Sequence, residues 1–281
     1  MNSSIELVRM RGGMTISNRT KKILKVGYVV TVLVTVLAFW MLSLVVYLTS
    51  NAEEDCTGSN VGIVRIHEYM ILPEEYEEGG FSADKIVRQI QEYSNNTDIK
   101  VIIVDINSTG GSMAAADQIA EALQKTEKKT VAVIRDHGQS AAYLIASATD
   151  KIYASKYSLT GNIGINKSIL SRVEENKKQN LEYIDLSSAP FKDLLNPDRP
   201  LSELDQIKIR AITGALHEKF VTAVADNRHM DKAKVAMLAD GMSYTADEAL
   251  KNGLVDKIGD KETIYTELAA EGIVIRACSG G

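Results

Sequence analysis

A chain of 281 residues with 45% hydrophobic and 25% charged side chains carries too much apolar material to remain disordered. Its net charge of −5, with no basic stripe interleaved with aromatic residues, argues against nucleic acid as a partner. The two cysteines, Cys56 and Cys278, form no zinc spacing, and neither a metal nor a cofactor is expected.

The N-terminus differs in kind from the rest. Val26 to Leu48 is an uncharged run dominated by Val and Leu. As a helix it spans roughly 34 Å, enough to cross a bilayer. Arg9, Arg11, Arg19, Lys21, Lys22 and Lys25 precede it, and Glu53, Glu54 and Asp55 follow it. This asymmetry predicts a cytoplasmic tail over 1–25 and a transmembrane helix over 26–48. After a linker over 49–60, everything else is extracytoplasmic. A cleaved signal peptide is the rival, but the run exceeds a usual apolar core and no clear Ala-x-Ala site follows. Both cysteines then lie where a disulfide persists, at opposite ends of the soluble part, with nothing local to bring them together.

The soluble part reads as alternating strands and helices. Val61 to His67 is the first strand, and Leu72 to Gly80 an acidic loop. Ser82 opens a helix with apolar positions Ile86, Val87, Ile90 and Tyr93, ended by Asn95 and Asn96. Lys100 to Ile106 is a nearly continuous apolar run, the pattern of a strand buried on both faces of a parallel sheet. A Gly-Gly turn, Asn107 to Ser112, leads to a helix over Met113 to Lys125. Thr130 to Arg135 is a strand that delivers the turn Gly138-Gln139-Ser140, and the small residues from Ala141 to Ala148 form the helix after it. Lys151 to Ala154 is a short strand, Thr160 to Gly164 a glycine-punctuated loop, Ile169 to Lys178 a helix and Leu181 to Leu186 a strand. Ser187 to Pro200 is a polar loop, and Leu204 to Asn227 a long helix. The alternation predicts one α/β domain over 61–272 with stacked parallel strands, then a tail over 273–281.

Two strand–turn–helix junctions carry chemistry. Glycines in the first allow close approach to the main chain, and the N-termini of both helices offer unpaired N–H donors. No Gly-Lys-Ser/Thr follows the first, so it is no P-loop. Ser140 stands at the second. Taken alone it is a helix cap. As a nucleophile it needs a base. His137 is badly placed on the same turn, and His217 and His229 lie in or just after the long helix rather than in a loop after a strand. A lysine serves only if it is held neutral, and spacing alone does not choose among the many lysines.

The order of several motifs resembles the signal peptide peptidase A family (peptidase family S49), serine peptidases with a Ser/Lys dyad and a crotonase- or Clp-protease-like fold. The motifs are Asn107-Ser108-Thr109-Gly110-Gly111-Ser112, Ser140 to Ala148, Asp150-Lys151-Ile152-Tyr153-Ala154, Thr160-Gly161-Asn162-Ile163-Gly164, Phe191-Lys192-Asp193 and Gly253-Leu254-Val255-Asp256-Lys257-Ile258-Gly259. The resemblance implies Ser140 as nucleophile, Lys192 as general base, and an oxyanion hole from the N–H groups of Gly111 and Ala141. Two departures stand out. The family has Ser-Gly-Gly where this chain has Ser140-Ala141-Ala142. It also has a lysine-orienting serine where this chain has Asn162, whose Oδ1 is able to accept from Lys192.

The resemblance further implies a membrane-anchored homo-oligomeric ring with active sites shared between protomers, acting on peptides such as cleaved signal peptides. A catalytically silent assembly or binding protein on the same scaffold is the alternative. Acyl-CoA chemistry, also hosted by crotonase-like folds, is disfavoured by the extracytoplasmic placement.

Overall fold

The computed structural model describes residues 27, 30–44, 60–67, 70–71, 81–273 and 275. The chain divides between Thr57 and Gly58 into two units. In the first, residues 30–44 form α1, whose side chains are exposed. No helix among the described residues is long and apolar enough to cross a membrane. The flanks of the expected 26–48 span, at 26, 28–29 and 45–48, lie outside the described residues, as do Cys56 and Cys278.

The second unit is built on a parallel sheet. Its central path is β1 (Val61–His67), β4 (Val101–Ser108), β5 (Lys129–Gln139), β6 (Lys151–Ala154) and β9 (Lys257–Ile258). A separate two-stranded ribbon pairs β2 (Met70–Ile71) with β3 (Phe81–Ser82). β4 is buried along its whole length apart from Asn107, as the continuous apolar run requires. Its side chains alternate between two layers. Ile102, Val104 and Ile106 face a large cluster that includes residues of α2 (Ala83–Asn95), α3 (Met113–Lys125), α4 (Ala141–Ser147) and α6 (Glu203–Arg228). Val101 and Ile103 face a smaller cluster completed by Ile264 and Leu268 of α9 (Lys261–Ala270).

Two features of this sheet position the functional turns. The β4–β5 register jumps from Ile106↔Ile134 to Ser108↔Gly138, so β5 carries extra residues against β4 just before Ser140. Beyond this irregularity β5 changes partner. Val131 to Ile134 pair with β6, whereas His137 to Gln139 pair with β7 (Leu159–Gly161). β7 in turn pairs antiparallel with β8 (Ser243–Thr245). The stretch expected as a loop at Thr160 therefore starts in a strand.

α4 is the most enclosed helix, with all seven residues buried. Its alanines let it lie close against the sheet, and the Tyr143 hydroxyl donates to the Leu254 carbonyl at 2.7 Å. Burial pushes the Tyr143 hydroxyl pKa up.

Three further expectations change. β5 runs on to Gln139 rather than stopping at Arg135, because β7 gives its distal residues a partner. The helix expected over Ile169 to Lys178 is limited to α5 (Val173–Lys178). The strand expected over Leu181 to Leu186 has no regular structure, and Leu181, Ile184 and Leu186 are all exposed. An apolar-rich segment makes a strand only where a sheet edge and an apolar layer receive it.

Beyond α6 lie α7 (Lys232–Leu238) and α8 (Ala246–Asn252). The Gly253 to Gly259 motif serves the scaffold. Gly253 ends α8 in the left-handed region, and the Asp256 carboxylate accepts from the Ile152 N–H at 2.7 Å.

Candidate active site

Ser140 has φ 52° and ψ −123°, outside the ordinary wells of an L residue. Its N–H donates to the Gly161 carbonyl at 2.8 Å, and its carbonyl accepts from Tyr143 and Leu144 at 2.9 and 3.1 Å. Its hydroxyl makes no capping bond to α4. By contrast Ser112, Ser202, Asp231, Thr245 and Asp260 all cap their helices through the side chain. The backbone is thus held in a strained turn while the hydroxyl is left out of the capping scheme.

The elements around Ser140 secure this turn. Thr160, fully buried, donates through Oγ1 to the Gly138 carbonyl at 2.8 Å. The Gln139 amide donates to the Ser243 hydroxyl. Asn162 also has a positive φ, 50°, and ties itself to the next turn. Its N–H donates to the Met242 carbonyl and its Nδ2 to the Gly241 carbonyl at 2.6 Å.

The Gly-Gly turn lies against Ser140. A Cβ built on Gly110 would stand 2.9 Å from Ser140 Cβ and 3.2 Å from the Ala141 nitrogen. Gly110 and Gly111 have φ 117° and 145°, which favours glycine at both positions. Ser108 Oγ accepts the Gly110 N–H at 3.1 Å, and Asn107 Oδ1 accepts the His137 N–H at 3.2 Å. Ala141 is the first residue of α4, a position whose N–H has no intrahelical acceptor. The Ser140 turn and the Gly-Gly turn, separate in sequence, are adjacent in space.

Lys192 lies in a different segment of the chain. It is exposed, on the turn-rich segment before α6, and lines an open hollow of about 410 Å³ with Arg172, Asp193 and Asp198. Among the described residues no hydrogen bond or ion pair joins Lys192 to Ser140, or Asn162 to Lys192. The histidines form no dyad with Ser140 either. His137 Nδ1 is buried without a partner among the described residues, and His229 is the left-handed cap that ends α6.

A second polar cluster sits on the opposite layer of β4. Asp105 is fully buried and receives Arg135 through both Nε, at 2.6 Å, and Nη2. His67 and Lys261 stand 3.6 and 3.8 Å from its carboxylate. The carboxylate hydrogen bond raises the Arg135 pKa further. Among the described residues no group of three or more His, Cys, Asp or Glu is placed to hold a metal ion.

Sequence reasoning missed Thr160, Gln139 and Ser243 as supports of the Ser140 turn. Thr160 and Gln139 stood within quoted motifs, but nothing local marked Ser243, which arrives from β8.

A parallel α/β domain with a strained serine turn facing a glycine donor turn belongs among folds of the Clp protease type, and the Clp protease pattern matches residues 66–160. The pattern of peptidase family S49 matches residues 122–274, more than half of the chain. The chain belongs to peptidase family S49. It is 28% identical over 222 residues to a provisionally named signal peptide peptidase SppA of Enterococcus faecium, covering 76% of this chain and 64% of that protein. It is 28% identical over 217 residues to protease 4 of Salmonella typhi, covering 76% and 35% respectively. With the chloroplastic serine protease SPPA of Arabidopsis thaliana it shares 24% over 180 residues, covering 63% and 27%. The chain thus spans less than two thirds of the length of these relatives.

Proposed function

We propose that this chain is a membrane-anchored serine endopeptidase acting through a Ser140/Lys192 dyad. The observation that carries the reading is the strained Ser140 turn, its hydroxyl uncommitted, packed against Gly110. Ser140 Oγ attacks the peptide carbonyl carbon and its proton passes to the neutral Lys192 amine. The resulting oxyanion takes hydrogen bonds from the N–H groups of Gly111 and Ala141, each worth about 3 kcal/mol of barrier. Collapse expels the amine, which takes the proton from Lys192, and leaves an acyl ester on Ser140. Water, deprotonated by Lys192, then hydrolyses that ester. Asn162 retains Oδ1 as an acceptor toward the lysine.

A homo-oligomer with sites shared between protomers supplies what the single chain lacks. Lys192 is exposed and unconnected to Ser140, and covering its ammonium with a second protomer would disfavour the charged form. The first half of α6 fits such an assembly, exposing Leu204, Ile207, Ile212 and Leu216. The uncharged run over 26–48 and the exposed apolar side chains of α1 support a single-pass anchor, with a cytoplasmic N-terminus and an extracytoplasmic domain. Peptides left in or near the bilayer, such as cleaved signal peptides, are the substrates this placement favours.

The deciding experiment measures peptide cleavage and labelling by a fluorophosphonate. Ser140→Ala should lose both while keeping its fold, and Lys192→Ala should lose cleavage. Lys177→Ala and Lys178→Ala, on exposed α5, should match the parent. Cleavage retained in Ser140→Ala overturns the assignment. A parent that is never labelled and never cleaves peptide returns the chain to the silent-scaffold alternative.

A further inference from the structure

Lys192 is an exposed side chain on a segment with little regular structure, yet a general base must be held to within a fraction of an ångström. The residues on either side of it are both tied back to the scaffold. Before it, Phe191 lies under the Lys208 ammonium of α6, 5.6 Å from the ring centroid. After it, the Asp193 carboxylate receives the Tyr183 hydroxyl, which pushes the tyrosine pKa up to about 12. The Asp193 carbonyl accepts from Arg199 Nε at 2.8 Å. The Lys192 N–H itself donates to the Ala189 carbonyl at 3.1 Å.

Arg199 is the link between this segment and the folded core. Its Nη1 meets Asp205 Oδ2 at 3.1 Å, and Asp205 is 3% exposed in the first turn of α6. Asp205 also accepts the Ser202 N–H at 3.0 Å in a capping box, so its carboxylate is itself fixed. The Arg199 fork beside it holds that carboxyl below the usual range. Arg199 Nη2, by contrast, is buried with no partner among the described residues. Two of the three guanidinium nitrogens of this half-buried side chain are thus spent on fixed partners, one on each side of the junction between the segment and α6. Its geometry transmits the rigid start of α6 to the backbone one residue past Lys192.

We infer that Arg199, anchored by Asp205 and assisted by Tyr183, is a positioning residue that aims Lys192 at the reacting serine. The inference rests on Lys192 being the base. Among the described residues the partners of Arg199 are the Asp193 carbonyl and Asp205, not Ser140. Its effect comes through the Asp193 carbonyl, and Arg199 is absent from the lining of the hollow at Lys192, so it should act on turnover rather than on substrate affinity.

The test uses the full-length chain in its native membrane or detergent, with a fluorogenic peptide as substrate. Arg199→Ala should lower kcat by about 10²-fold, the effect of an ångström-scale misplacement, with KM within about twofold of the parent. Arg199→Lys keeps the charge but cannot reach both Asp205 and the Asp193 carbonyl in the same fork, so it should recover part of that loss. Tyr183→Phe removes only the hydroxyl on Asp193 and should lower kcat several-fold. It also keeps the inference testable if Arg199→Ala does not fold. Lys192→Ala is run beside them. If it is inactive while Arg199→Ala and Tyr183→Phe turn over like the parent, the positioning role is wrong and the dyad stands. A loss in Arg199→Ala that falls on KM alone likewise overturns it. Full activity in Lys192→Ala removes the base assignment and this inference with it.

Discussion

Substituting Gly110 by alanine probes the contact on which the site depends. The added Cβ would sit 2.9 Å from Ser140 Cβ, 3.1 Å from the Gln139 carbonyl oxygen and 3.2 Å from the Ala141 nitrogen. Ordinary carbon–carbon contact is about 3.5–4.0 Å, so the two turns must part by roughly 0.5–1 Å. The φ of 117° adds backbone strain of about 1–3 kcal/mol, because an L residue is rarely found there. If Ser140 attacks beside the Gly111 and Ala141 donors as proposed, a displacement of that size should lower kcat by about 10²-fold, or about 2.7 kcal/mol of barrier. Gly214→Ala is the control. That site lies within α6 with no atom within 4 Å of the added methyl. It should stabilise the protein by about 1 kcal/mol through helix propensity, which calibrates the stability measurement for a glycine replaced without strain or clash. Urea denaturation read by circular dichroism gives the stability change, and peptide turnover gives the rate. Gly110→Ala with parental stability and parental kcat would show that the two turns do not act as one site.

Tyr143→Phe leaves the buried Leu254 carbonyl without its donor and should cost about 1–3 kcal/mol, seen as a lower urea midpoint at constant slope. Arg135→Ala removes the two-pronged partner of the Asp105 carboxylate, leaving His67 and Lys261 at 3.6 and 3.8 Å, and should cost about 1–3 kcal/mol, since the arginine itself is half-exposed. An unchanged midpoint would mean that solvent reaches Asp105. Glu267 accepts from Lys257, Tyr153 and Lys151, which push its carboxyl down to about 2. A depressed carboxyl stabilises the fold above its ordinary value near 4.3, and that contribution is lost as pH falls toward 2. Stability measured in urea from pH 6 to 2 should therefore fall less steeply for Glu267→Gln than for the parent. Parallel curves would refute the assignment.

Much of the fold was legible because its signals are local. The continuous apolar run of β4 marks a strand buried on both faces, and the glycines and serines at 107–112 and 138–140 mark where the chain turns. The expected strand at 181–186 failed for the converse reason. It is rich in apolar residues, but no sheet edge accepts them, and Leu186 is 90% exposed. The same limit hid the supports of Ser140. Thr160 and Ser243 reach it only because β7 pairs with the far end of β5 and with β8.

By themselves, the residues along the chain determined the parallel α/β class and the two donor-rich turns, and left Ser140 a helix cap until the order of the motifs was compared with a family. Helix starts, glycine conformations and apolar periodicity all depend on neighbours within a few positions. Tertiary structure alone decided that Ser140 adopts a positive φ with its hydroxyl kept out of the cap, and that Gly110 packs against it. It also decided that Arg199 ties the Lys192 segment to Asp205. Those outcomes follow from strand register and from contacts between distant segments. Both are settled by which surfaces can be buried together, which local pattern does not encode.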